Sequence, residues 1–394
     1  MQIKDYLISK SKVPVNTKFL IYLSPLIVTF GDWKLTCIFV IFISLFFLID
    51  NVIVENFNLQ IKDAFKWLFL LIWGIYIIGK SPHFQTAVLY YIYTILIPFL
   101  TFLLIDNITI NKNYLENLFN LFFLSGTILG IYSIYLFIES GFNSLLRIGS
   151  IWDDLNIMSA YLMILFMFNL SFILNREKGK KLYLYFISLF FISSGIFMTQ
   201  TRGVWLSIIV SVLIYTIKRP KIIIPFSLII GFFIFYFYDA ITSRFLTVKN
   251  FGADLSSLGR LQAWIATISL LKNNLFFGYG FDSFIYLRDS VIPFFLVPVI
   301  HSHNTYLRSL LEIGLIGSIF YYYFFFKAIY FSFAVSKKDA TKSYKKFSDG
   351  LQLSFIGLVV VFFFEPYFSL FGASTFIIWL LISLSFKIYK NISN

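Results

Sequence analysis

Two arginines, a histidine and two carboxylates are the chemistry-bearing residues of an otherwise oily chain. Arg202 opens an apolar run in Gln-Thr-Arg-Gly-Val-Trp205, and Arg260 lies in Leu-Gly-Arg-Leu-Gln-Ala-Trp264. His303 is one of only 3 histidines and closes a polar stretch as His301-Ser-His303-Asn304. A guanidinium is a planar fork of donors suited to phosphate and carboxylate oxygens. An imidazole titrates near neutrality and serves as a general base. Glu312 follows Arg308 at i+4, a spacing that favours an internal ion pair. Glu365 precedes Pro366 near the end of an apolar run. Pairing with an arginine and a catalytic role are both open to it, because carboxylates inside spans are functional by default.

Each candidate also has a plainer reading. In Arg147-Ile-Gly-Ser-Ile-Trp-Asp153-Asp154-Leu-Asn156 the acidic and amide side chains stand where the next helix wants capping oxygens. The functional reading makes them a polar floor for a sugar, with Trp152 stacked on a pyranose face. Arg202 could snorkel to headgroups, but a helix N-terminus disfavours a cation unless an anion joins it. Arg260 and Trp264 share an apolar period of helical spacing, which predicts an amphipathic helix lying along the membrane with Trp264 at the interface. Gly278-Tyr279-Gly280 could cradle a phosphate with its amides, although a lone Gly-x-Gly is a weak signal. His301 and His303 lack further ligands at a metal-binding spacing, so no metal and no other cofactor is expected. The single Cys37 excludes an intrachain disulfide framework.

The elements that must position these residues are membrane helices. The chain is 59% hydrophobic and 13% charged, against about a quarter charged in soluble proteins. Apolar runs near 19–31, 35–50, 67–79, 87–105, 118–138, 156–174, 182–198, 203–217, 222–238, 305–335, 351–371 and 373–386 predict twelve spans. The break is 239–304, whose Arg244, Lys249, Asp254, Arg260, Lys272, Asp282, Arg288 and Asp289 a hydrocarbon core does not tolerate. With a cytoplasmic N-terminus, 21 Lys and Arg fall in cytoplasmic segments against 9 on the other side, as the positive-inside rule requires. Merging the runs on either side of Thr199–Arg202 would put the basic 176–181 loop outside. The expected architecture is thus an all-α polytopic membrane protein. Residues 1–238 carry nine spans, 239–304 form a large, partly helical outward loop, and 305–394 carry three more. Both termini are cytoplasmic and no cleavable signal peptide is expected. The net charge of +13 is explained by orientation and anionic lipid, with no call for nucleic acid.

Three elements in order resemble the O-antigen ligase and polymerase superfamily. They are Thr-Gln-Thr-Arg202-Gly, Gly-Arg260-x-x-x-Trp264 followed by Asn-Asn-Leu-Phe-Phe-Gly-Tyr-Gly, and His303-Asn304-x-Tyr306-Leu307-x-x-x-Leu311-Glu312-x-Gly314-Leu315-Ile316-Gly317. Arg147 to Tyr161 resembles an earlier outward motif. Asn274 and Leu155 stand where the family usually has proline. The resemblance implies a bacterial inner-membrane glycosyltransferase with a periplasmic active site and no metal. An acceptor hydroxyl attacks the anomeric carbon of an undecaprenyl-diphosphate-linked oligosaccharide, with inversion. It maps two essential arginines and a histidine onto Arg202, Arg260 and His303. Arg147, Asp154, Asn156, Trp264, Tyr279, Arg288, Asn304 and Glu365 are then expected to contact substrate. The implied partners are the lipid-linked glycan, an acceptor glycan or lipid A–core, the bilayer and a chain-length regulator.

Within that resemblance a polymerase is favoured over a ligase, because the composition suits an AT-rich polysaccharide locus. The basic outward loop would suit a phosphorylated lipid A–core and speaks for the ligase. A transporter or flippase is a third reading, but those proteins tend to show internal repeats and polar breaks at the bilayer midplane. Here no repeat links the halves, and the polar residues gather at one surface. A membrane scaffold would leave the polar excursion unexplained.

Overall fold

The computed structural model describes residues 15–30, 33–53, 63–143, 146–152, 154–175, 179–217, 255–292, 299–338, 344–367 and 373–393, with isolated positions between 220 and 242. These residues are all-helical, with no strand among them. The N-terminal part runs through α1 (Val15–Tyr22), α2 (Ser24–Thr29), α3 (Trp33–Ile53), α4 (Ala64–Lys80), α5 (Phe84–Asn107) and α6 (Lys112–Glu139). Then come α7 (Leu155–Leu174), α8 (Lys180–Thr199), α9 (Arg202–Thr216), α10 (Leu255–Asn274), α11 (Thr305–Lys338), α12 (Lys345–Val361) and α13 (Ala373–Ser393). Six of these, α5, α6, α7, α8, α11 and α13, are long and apolar enough to cross a membrane. The expected span 222–238, residues 243–254 and Asp153 lie outside the described residues.

The helices begin where polar side chains can take up orphan amides. Asn111 accepts from the Tyr114 amide at 2.8 Å, and Asp154 from the Asn156 and Ile157 amides at 2.8 and 3.0 Å. Asn304 accepts from the Leu307 amide at 3.0 Å. The capping reading of Asp154 is what the structure shows. The predicted joint between α8 and α9 is present as well. Gln200 turns left-handed there, at φ 51°, and Thr201 is extended.

α7 is the central post, packed by α6, α8, α9, α12 and α13. Its Tyr161 is fully buried and stacks on Trp152, ring centroids 5.3 Å apart. Trp152 also donates its indole N–H to the Thr29 carbonyl at 2.9 Å. This corrects the sugar-platform expectation: Trp152 is buried in the core, stacked on Tyr161 and with its donor in use.

α11 is broken at Gly314, where φ is 69° and ψ 175°. The break frees backbone groups, and the glycine turn after α10 takes them. Tyr279 N–H donates to Leu311 O at 2.8 Å, Gly280 N–H to Glu312 O at 3.0 Å, and Leu315 N–H to Leu275 O at 2.8 Å. Trp73 of α4 donates to Ile313 O at 2.9 Å. A Cβ on Gly314 would lie 2.3 Å from Phe276 O, and one on Gly278 2.5 Å from the Gly314 nitrogen. The Gly278–Gly280 amides are therefore committed to protein carbonyls, and the phosphate-cradle expectation fails for a steric and hydrogen-bonding reason.

At the far end of α6, Glu116 collects Lys346 at 2.8 Å, Lys112 at 3.8 Å and Lys181 at 3.9 Å. Ser133 on the same helix bonds the Gly149 carbonyl at 2.8 Å. Seventeen helical residues separate Glu116 from Ser133, about 25 Å at 1.5 Å per residue. The lysine cluster and the loop bearing Arg147 thus sit at opposite ends of one helix.

Candidate active site

Four separate segments converge beside the α8–α9 joint. The first is the 146–150 loop, laced to the joint by Ile148 N–H to Met198 O at 2.9 Å and by Gln200 Nε2 to Leu146 O at 2.9 Å. That lacing holds Arg147, whose Nε donates to Thr199 O at 2.9 Å and whose terminal nitrogen donates to Asn156 Oδ1 at 3.0 Å. The second is the first turn of α7, which supplies Asn156. The third is α10, which supplies Arg260. The fourth is the turn after α12, which supplies Glu365.

Glu365 is the hub. Its carboxylate is 5% exposed. One oxygen takes Arg260 at 3.0 Å and the Asn156 amide at 3.1 Å, and the other takes His303 Nδ1 at 3.0 Å. Its backbone is pinned too. Thr305 Oγ1 donates to Glu365 O at 2.6 Å, Thr305 N–H donates to Phe362 O at 2.8 Å, and Asn304 Nδ2 donates to Phe363 O at 3.4 Å. Asn304 therefore caps α11 and docks the Glu365 turn. Arg308 and Glu312, both buried, form the expected ion pair at 2.7 Å one turn further along α11.

A cavity of about 110 Å³ opens beside the hub, lined by Arg147, Asn156, Gln200, Thr201, Arg202, Gly203, Arg260, Phe364, Glu365 and Tyr367. Three guanidiniums and the N-terminus of α9 meet there. Thr201, the residue before that helix, makes no side-chain cap bond. The buried Nε of Arg260 has no hydrogen-bond partner. A concave site with three cations, an open helix N-terminus and an unsatisfied guanidinium N–H is built for an anion.

His303 sits at the rim in a left-handed conformation, φ 47°. Its amide donates to His301 Nδ1 at 3.3 Å, which steadies that turn. Burial, then the neighbouring His303, Arg308 and Arg260, hold the His301 imidazole well below its ordinary range. His301, His303 and Glu365 bring three ligand-type atoms within 4.8 Å of one another. Glu365 is a third ligand-type group that the two imidazoles lack within their own stretch of sequence. Arg260 shares that carboxylate, so a cation seated there would compete with a guanidinium.

Arg202, Arg260, Arg147, Asn156 and Glu365 thus line one cavity, with His303 bonded to its wall. Asp154 caps α7 behind Asn156. Trp264, Tyr279 and Arg288 are not among the lining residues. Trp264 lies one turn after Arg260 on α10, its indole N–H buried without an acceptor. Tyr279 donates its hydroxyl to Leu270 O at 2.9 Å. Arg288 is held by Val299 O and by Asp289, the latter at 3.2 Å. The sequence reading missed Phe364 and Tyr367, which flank Glu365-Pro366. Tyr367 is fully buried with its hydroxyl on Asn156 O at 3.3 Å. Their only sequence signal was that a carboxylate sat among aromatics before a proline.

A family model described as O-antigen ligase matches residues 187–322, about a third of the chain. The matched stretch holds Arg202, Arg260, His303 and the Arg308–Glu312 pair, while Arg147, Asn156 and Glu365 fall outside it. No curated protein matches the chain.

Proposed function

We propose that this chain, which carries the O-antigen ligase family domain over residues 187–322, transfers a glycan from a polyprenyl diphosphate to a sugar hydroxyl. The observation that carries the reading is the three-arginine cavity at the start of α9 with His303 bonded to its lining residue Glu365. A departing diphosphate gathers negative charge, and fixed guanidiniums and helix amides stabilise it best where water is scarce. The acceptor O–H gives its proton to His303, the new C–O bond forms at the anomeric carbon, and the C–O bond to the diphosphate breaks. Attack opposite the leaving group inverts that carbon.

The expected twelve spans, the cytoplasmic termini and the outward-facing site belong to the same proposal. Two groupings support it. Lys112, Lys181 and Lys346, assigned to the cytoplasm by the positive-inside rule, meet at Glu116. Arg147, Arg202 and Arg260, assigned to the other side, share the cavity. The reading is metal-independent, so chelation should leave transfer intact.

We favour polymerisation of a surface polysaccharide, with undecaprenyl diphosphate as the carrier. The basic loop favours ligation to lipid A–core as the second reading. Lipopolysaccharide gels from a deletion host, complemented by wild type or Arg260→Ala, separate them. A core bearing a single repeat identifies the polymerase. A bare core, with long chains left on the lipid carrier, identifies the ligase. A ladder unchanged by deletion removes the ligase and an O-antigen polymerase, and points to a capsular polymer or away from this chemistry altogether.

A further inference from the structure

We infer that Glu365 is the positioning residue of the site: it turns His303 into a proton acceptor of fixed tautomer and ties that base to Arg260. The inference rests on the transfer reading above and adds to it a residue outside the family-matched stretch.

An ionised carboxylate has no hydrogen to donate. The 3.0 Å contact between Glu365 Oε2 and His303 Nδ1 therefore requires the proton to sit on Nδ1. Nε2 is then the ring nitrogen with the free lone pair. When the acceptor hydroxyl gives its proton to Nε2, an imidazolium forms against a carboxylate already in place. The proton stays on His303, the acceptor oxygen bonds to the anomeric carbon, and the electron pair of the broken C–O bond leaves on the diphosphate. Carboxylate–imidazole pairs of this kind fix ring orientation and stabilise the cation without taking the proton themselves.

The other oxygen of Glu365 holds Arg260 at 3.0 Å. Base and leaving-group cation are thereby set from one carboxyl group whose own position is over-determined. It is 5% exposed, its backbone carbonyl is held by Thr305 at 2.6 Å, and Asn156 braces it from α7 at 3.1 Å. His303 keeps a left-handed backbone, φ 47°, a conformation that costs a non-glycine residue and persists where the surroundings insist on it. His303 is bonded to Glu365 from the turn after α12, which also holds Arg260 from α10, and the His301 ring stands beside it, centroids 4.2 Å apart. Among the described residues Glu365 is the one anion bonded to the ring.

The test is a double-mutant cycle on purified full-length protein in detergent. The donor probe is the lipid-linked glycan extracted from membranes of the deletion host, with that same extract or its lipopolysaccharide as acceptor. Glu365→Gln should lower kcat by about 10²-fold or more, the scale of a disabled general base. In a His303→Ala background the same substitution should cost less than about 3-fold, because the glutamine keeps an oxygen that can accept from Arg260 and groups that act as a unit are not additive. Additive losses would make Glu365 a merely structural residue and overturn the inference. Loss of wild-type turnover on chelation, restored by zinc, would also overturn it by making Glu365 a metal ligand. If His303→Ala alone leaves turnover intact, His303 is not the base and the inference falls while transfer stands; if wild type does not turn over the lipid-linked glycan at all, it is the transfer reading that fails. Glu365→Asp keeps the charge on a shorter stem and serves where the glutamine variant does not accumulate. Its loss must vanish in the same background.

Discussion

At the scale of single residues the site divides into groups that meet charge and groups that hold them. Arg202→Ala and Arg260→Ala each remove a donor from the cavity. Each should lower turnover by about 10²–10³-fold, as losing one preorganised donor does, with the protein still monodisperse and inserted. A rate loss below about 10-fold for both would detach the cavity from the chemistry. His301 bears on stability. Its folded-state imidazole resists protonation because it is buried beside His303, Arg308 and Arg260. The unfolded chain takes up that proton near pH ~6.5, so the contribution is complete above this value and is lost as pH falls below it. Unfolding temperatures at pH 7.5 and 5.5 should therefore diverge more for wild type than for His301→Gln.

Among the elements, the broken α11 governs the geometry. His-Asn-Thr starts the helix and docks the Glu365 turn, and Gly314 ends its first section. An alanine at 314 would enter a backbone region reserved for glycine, at about 1–3 kcal/mol, and would press on Phe276 O. Gly314→Ala should unfold at lower temperature, and Gly317→Ala, facing the Trp73 edge, is the comparison that separates backbone strain from crowding. The elements also show what the sequence could and could not reveal. Apolar period and capping residues were enough to make the chain all-helical with apolar helices of membrane-crossing length, and the sequence singled out Arg202, Arg260 and His303, which the structure gathers around one cavity. Glu365 was ambiguous because its partners lie 105 and 62 residues away, and no local pattern encodes such a pairing. Trp152 misled because an aromatic beside carboxylates suits a sugar as well as a core. Only the Thr29 carbonyl, 123 residues distant, decides between them. The glycine turn misled for the opposite reason: its amides serve a helix break that the sequence does not announce.

For the whole molecule, the consequential claim is orientation. A reporter fused after Lys178, in the basic 176–181 segment, should be cytoplasmic, and one in the 239–254 stretch should be outside. A periplasmic Lys178 fusion would invert the assignment and remove the site from its substrate. The loop's attachment carries a further consequence. Residues 275–280 exchange backbone bonds with both sides of the Gly314 break, and Lys80 from α4 holds Gly278 O at 2.8 Å. That part of the loop is riveted masonry. It cannot swing away like a hinged cover, so under the proposed transfer a glycan too long to be engulfed would have to be fed in along a standing wall.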